Sequence, residues 1–161
     1  MKKHAISLLV ENQFGALSRI SGLFSARGYN IESLSVAPSS DPTVSRMTIV
    51  TSGDDRVVEQ IGKQLNKLID VIKVWNVSDY DSIGRELILV RVFAGDHSQD
   101  EIIRAGQAFG AKVVDVSEKS LAFEMMGDSQ EVENFLNLLK TFGIKELIRS
   151  GTLAMIKEGN K

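Results

Sequence analysis

The chain contains no cysteine. That excludes a disulfide framework, a thiolate nucleophile and a thiolate metal site. Histidine occurs only twice and tryptophan once, so chemistry at neutral pH has few of its usual carriers. His4 and His97 each lack a second histidine three or four residues away, and no metal centre is expected from them. Neither sign of charge dominates: the net charge is −2, which gives no bulk attraction to phosphate backbones and argues against nucleic acid as a partner. Long apolar runs are also missing. The run after Met1-Lys2-Lys3-His4 stops at Glu11-Asn12, too short for a signal-peptide core. Nothing approaches the ~18 apolar residues that a spanning helix needs, so no membrane contact and a cytoplasmic location are expected. Gly-x-Gly-x-x-Gly and Gly-Lys-Ser/Thr phosphate loops are absent.

What is present is ordinary globular material: 161 residues, 43% hydrophobic and 25% charged, enough for one medium domain or two small ones. His4–Val10 alternates as a strand. Leu17, Ile20 and Phe24 recur at helical spacing, and Gly28 suits the position just past the helix end, where a positive φ is wanted. Residues 30–36 and 46–51 read as strands around a polar loop that holds both prolines. Gly53-Asp54-Asp55 reads as a turn and N-cap before the stripe Val58, Ile61, Leu65, Leu68, and Val71–Val77 closes the set. The segment 78–84 is polar and aperiodic. The same order then restarts: a strand over 86–94, capping signatures at Ser98–Glu101 and Asp128–Glu131, two strands between the helices, and at least one strand in 144–156. The expected fold is α+β, two ferredoxin-like βαββαβ domains at 1–78 and 85–161 joined by a linker at 79–84. Helices cover one face of each sheet only, so the uncovered faces and edges favour self-association.

The stretch "ENQFGALSRI" (11–20) hands a strand to a helix with an Asn, a Gln and a Gly and no obvious catalyst. The first N–H groups of that helix lack intrahelical partners and favour an anion such as a carboxylate. Gly15 allows close backbone approach, and Asn12 can donate or accept toward an amino acid. The residues alone leave open that Asn12 only caps and Gly15 only turns. They leave open, too, that Asn30, after Gly28-Tyr29, only sits in a turn. Ser18 and Ser21 have no base nearby in sequence, and Met125-Met126 suits core packing with one side chain turned outward. Arg19, Arg27 and Arg46 read as scattered surface cations.

"ENQFGALSRISGLFSARGYNIESLSV", "DPTVSRMTIV" and "EQIGKQLNKLIDVIKV" closely resemble the small regulatory subunit of acetolactate synthase. The likeness continues more weakly through "RELILVRV", "KVVDVS" and "RSGTLAMIKEG". The resemblance implies that the first domain is an ACT domain, a module that often binds amino acids. It implies a larger catalytic subunit as partner, to which thiamine diphosphate, Mg and FAD would belong, with no cofactor in this chain. It implies activation of that subunit and feedback inhibition by valine in branched-chain amino-acid synthesis. It also implies a homodimer through paired ACT domains, with the effector at their interface. Asn12, Gly15, Ala16 and Leu17 would then hold the effector, and Asn30 and Ile31 would come from the facing protomer. Gly84-Arg85-Glu86 and Phe109-Gly110-Ala111 depart from the family pattern. The alternatives are a stand-alone ACT sensor of another enzyme, a small acylphosphatase-like enzyme, and an RNA-binding sheet. Residues 11–16 lack the phosphate-gripping Arg the second would need, and residues 47–50 lack the aromatics the third would need.

Overall fold

The period-two pattern at the start of the chain becomes β1 (Lys2–Glu11), which places Ile6, Leu8 and Val10 on one face of a sheet. The computed structural model describes residues 2–95 and 97–159. After β1 come α1 (Ala16–Ala26), β2 (Ile31–Pro38), β3 (Val44–Gly53), α2 (Asp55–Leu65) and β4 (Val71–Asn76). The strands pair antiparallel in the order β2-β3-β1-β4. Both helices lie on the face that carries Ile6, Leu8, Met47 and Ile49, and fill it with Ile20, Phe24, Val58, Ile61 and Leu65. α1 stops where expected: Gly28 follows its C-cap with φ 68°. α2 starts where expected: the Asp54 carboxylate accepts the Val57 N–H at 2.8 Å. On the opposite sheet face Arg46 donates to Ser7 Oγ at 2.8 Å and lies 4.4 Å over the Trp75 ring. Arg46 is thus a surface cation, as expected, but one held in place by Ser7 and Trp75. Burial lowers its pKa.

The second half repeats the order: β5 (Ser82–Phe93), α3 (Gln99–Ala108), β6 (Lys112–Val116), β7 (Ser120–Gly127), α4 (Ser129–Leu139) and β8 (Ile144–Arg149). Its sheet runs β6-β7-β5-β8, the same spatial order as the first. Phe123, Phe135, Ile102 and Leu121 centre its core. Met125 is buried in that core and its neighbour Met126 is exposed. Both sheets are thus ferredoxin-like, as the repeated pattern implies.

The chain divides into two units at places that differ from the sequence expectation. One unit comprises Met1–Ile83 together with Gly151–Lys161; the other comprises Gly84–Ser150. Residues 79–84 are not a free linker: a 3-10 turn at Val77–Asp79 leads into β5, which already begins at Ser82. The last segment, expected with the second domain, groups with the first. It forms β9 (Leu153–Ile156), which pairs with β5. Polar residues pair there because each has a specific partner: the Lys157 N–H and Nζ both reach Asp81, at 3.0 Å. On the outer face of the first sheet the Ala154 N–H approaches Thr48 Oγ1 at 3.4 Å. Gly151 packs so closely on β2 that a Cβ there would lie 3.1 Å from Ser33 Cβ.

Candidate functional site

The turn between β1 and α1 carries four of the six residues singled out in the sequence. Asn12 leaves the sheet with its N–H on Thr43 O (2.8 Å) and its Nδ2 on Pro42 O (2.9 Å). Its side chain therefore binds the proline-bearing β2–β3 loop through Nδ2. Gly15 is the N-cap of α1 with φ 80°, a left-handed conformation that side chains resist. Gly15 has no side chain to cap the helix, and no acidic residue occupies the first turn. Among the described residues, the backbone N–H groups of Gly15, Leu17 and Ser18 have no acceptor. Ala16 is buried beneath them and Leu17 is exposed. The result is a helix N-terminus with its partial positive charge uncancelled, which suits a carboxylate.

A shallow open cleft of about 310 Å³ lies alongside, lined by Glu11, Asn12, Gln13, Thr43, Val44 and Ile72. It has room for a free amino acid and combines polar walls with the apolar side chains of Val44 and Ile72. Phe14 and Ile69 stand fully or almost fully exposed near the turn, with Leu17 and Ile72 partly so. Asn30 and Ile31 are placed at the start of β2, where the Asn30 carbonyl accepts the Thr51 hydroxyl at 2.7 Å. The Ile31 side chain packs on the core of its own unit.

Sequence reading passed over the pair beneath the turn. Asp70, 1% exposed just before β4, accepts the Arg19 Nε on one carboxylate oxygen and Gln13 Nε2 on the other, the latter at 2.6 Å. The Arg19 guanidinium holds the Asp70 carboxyl below the usual carboxylate range, with Gln13 adding to the effect. Arg19 Nη2 also donates to the Phe14 carbonyl at 3.0 Å. A Cβ on Gly15 would lie 2.6 Å from Arg19 Nη1. Gly15 thus makes room for the guanidinium as well as for a turn. The only cue in sequence was an Arg one turn into the helix, and its partner lies 51 residues away.

Elsewhere, among the described residues, no three His, Cys, Asp or Glu side chains gather as a metal site. His97 stacks edge-on to Phe142 and lies 3.4 Å from Glu101; His4 is buried on β1. No helix is long and apolar enough to cross a membrane. In the second unit the sheet face away from the helices exposes Leu87, Leu89, Met126 and Ile148, and Arg91 on it is paired with Asp115 at 2.8 Å.

Comparison with known proteins agrees with this layout. The family profile described as the AHAS small subunit-like ACT domain matches residues 6–73, and that described as the small subunit of acetolactate synthase matches residues 85–158. A probable acetolactate synthase small subunit from Archaeoglobus fulgidus is 50% identical over 159 residues, covering 99% of both chains. The acetolactate synthase small subunit of Haemophilus influenzae is 46% identical over 160 residues, covering 99% of this chain and 98% of its own. The crystal structure of the acetolactate synthase small subunit from Thermotoga maritima superposes with a TM-score of 0.85 at 35% identity, over 100% of this chain and 98% of that one.

Proposed function

We infer function from one premise: the chain belongs to the acetolactate synthase small-subunit family, and its first unit is an ACT domain. The chain acts as the non-catalytic regulatory subunit of acetolactate synthase. It activates the larger catalytic subunit and makes it sensitive to feedback inhibition by valine. Thiamine diphosphate, Mg and FAD belong to that partner and not to this chain, and the complex works in the cytoplasm.

The observation that carries this reading is the β1–α1 turn. It offers free N–H groups at Gly15 and Leu17 for a carboxylate, and Asn12 Oδ1 for an ammonium group. Its carboxylate, Glu11, accepts Gln13 Nε2 at 2.9 Å rather than pairing with a nucleophile. The effector site is completed by a second copy of the chain, whose Asn30 and Ile31 approach from β2, the end strand of the first sheet. Exposed Phe14, Leu17, Ile69 and Ile72 suit burial in that dimer, and the apolar outer face of the second unit suits a subunit interface. The Ile31 side chain is engaged in the core, so its contribution is made through the backbone and the edge of its side chain. A pocket of this kind separates side chains that differ by one methylene by only ~1–3 kcal/mol, so leucine and isoleucine should bind measurably beside valine.

Calorimetric titration with valine tests the reading, with leucine, isoleucine and alanine for comparison. Valine should saturate near one per chain, and Asn12→Ala should weaken it by about tenfold, the equivalent of one ~1.4 kcal/mol interaction. Adding the chain to an acetolactate synthase catalytic subunit should raise its activity and render it valine-sensitive. Valine binding without any effect on that subunit would instead make the chain a stand-alone amino-acid sensor.

A further inference from the structure

We propose that Arg19 and Asp70 are the positioning pair of the effector turn, holding it in its binding conformation before any ligand arrives. The inference rests on the reading of the β1–α1 turn as the effector site. Asp70 is a buried carboxylate whose two oxygens are occupied by Arg19 and by Gln13, and Gln13 is itself part of the turn. The Asp70 carbonyl also accepts the Glu11 N–H at 2.8 Å, at the point where β1 ends. Arg19 completes the circuit by donating to the Phe14 carbonyl, next to Gly15. The turn is therefore fastened at its start by the Asp70 backbone, and at its middle and tip by the side chains of the Arg19–Asp70 pair.

A buried ion is costly to leave without its partners, so the turn cannot shift by an ångström without stranding Asp70. That makes the free N–H groups of Gly15 and Leu17 a preformed site, and preformed sites bind more tightly because less order is lost on binding. The pair also ties the turn to β4, since Asp70 immediately precedes Val71. Arg19 and Asp70 act through the turn and need no contact with the effector.

Arg19→Lys and Arg19→Met separate this role from simple structural support. A lysine can keep a charge beside Asp70 but cannot at the same time donate to the Phe14 carbonyl. Arg19→Lys in the whole chain should keep its melting temperature near that of the unchanged protein while valine Kd rises about tenfold. Backbone ¹⁵N relaxation should show increased motion at Phe14 and Gly15, with the core strands unaffected. Arg19→Met leaves Asp70 charged without its cation; if it fails to fold, the double variant Arg19→Met with Asp70→Asn removes both charges and should fold with the turn mobile and valine weakly bound. Unchanged valine affinity and an ordered turn in folded Arg19→Lys and in the double variant would overturn the positioning role while leaving the effector reading intact. No saturable heat from any amino acid with the unchanged protein would overturn the effector reading, and the positioning role with it.

Discussion

Asp70 shows how far a single residue's partners can lie from it in sequence. Its depressed pKa has a consequence for stability. Well above the ordinary aspartate range, near pH ~4, the carboxylate is charged in folded and unfolded chains alike, and the folded chain keeps the full benefit of Arg19 and Gln13. As the pH falls below that range the unfolded chain takes up its proton first, and the benefit drains away until the folded carboxyl protonates too. Asp70→Asn should therefore lower stability at neutral pH and flatten its decline in acid, as read by urea unfolding at a series of pH values. Asp41, Glu32 and Glu59 are lowered as well, by Thr43, Ser52 and Lys63 respectively, so some acid dependence will remain. At this scale, legibility follows sequence distance. Gly28 as a helix terminator and Asp54 as a cap were readable because their partners lie within a turn. Arg19 read as an ordinary helix-surface cation because the residue that gives it a role stands 51 positions on.

The elements themselves came through the sequence well, and their ends less so. Ser98–Glu101 and Asp128–Glu131 carry the same capping pattern, yet only the second closes it in both directions. The Asp128 side chain accepts the Glu131 N–H and Glu131 returns to the Asp128 N–H, each at 2.8 Å. Glu101 instead lies against His97, a competitor one residue before the cap that pattern matching does not weigh. β5 began earlier than expected because a polar stretch becomes strand when a distant segment pairs with it. α3 holds a constraint that propensity alone would miss. Gly106 is buried in mid-helix, and a Cβ there would run into the Phe123 ring, with Cζ at 2.8 Å. Phe123 cannot turn aside, being packed edge-on against Phe135 at 5.9 Å. Gly106→Ala regains up to ~1 kcal/mol of helix propensity, but overpacking costs ~1–3 kcal/mol. A net loss of about 1–2 kcal/mol should appear in urea unfolding, and relief by Phe123→Leu would confirm the clash as its source.

For the whole molecule, the repeated strand–helix order was enough to give two sheets of like topology, but not the way the chain shares its residues between them. The second unit is an insertion in the first: the chain leaves at 83 and returns at 151. Periodicity cannot reveal this, because β9 is only four residues long and its grouping with the first unit depends on packing against Ser33 and Thr48. A chain ended after Ser150 should lose the packing on Ser33 and Thr48. Each kcal/mol so lost lowers Tm by about 2–4 °C for a chain of this size, and the shortened chain should melt lower by at least that much. Amide exchange in β2 and β3 should quicken at the same time.

That insertion also dictates an order of events during synthesis. A ribosome releases residues 1–83 first, and they can close their sheet and core at once. They cannot be covered by Gly151–Ile156 until the whole of the second unit has followed. Domains made in sequence usually finish in sequence. Here the earlier one is finished last, and a product of interrupted translation that stops before Gly151 lacks the segment that packs on Ser33 and Thr48. The segment Gly151–Ile156 thus couples completion of the first unit to synthesis of the second.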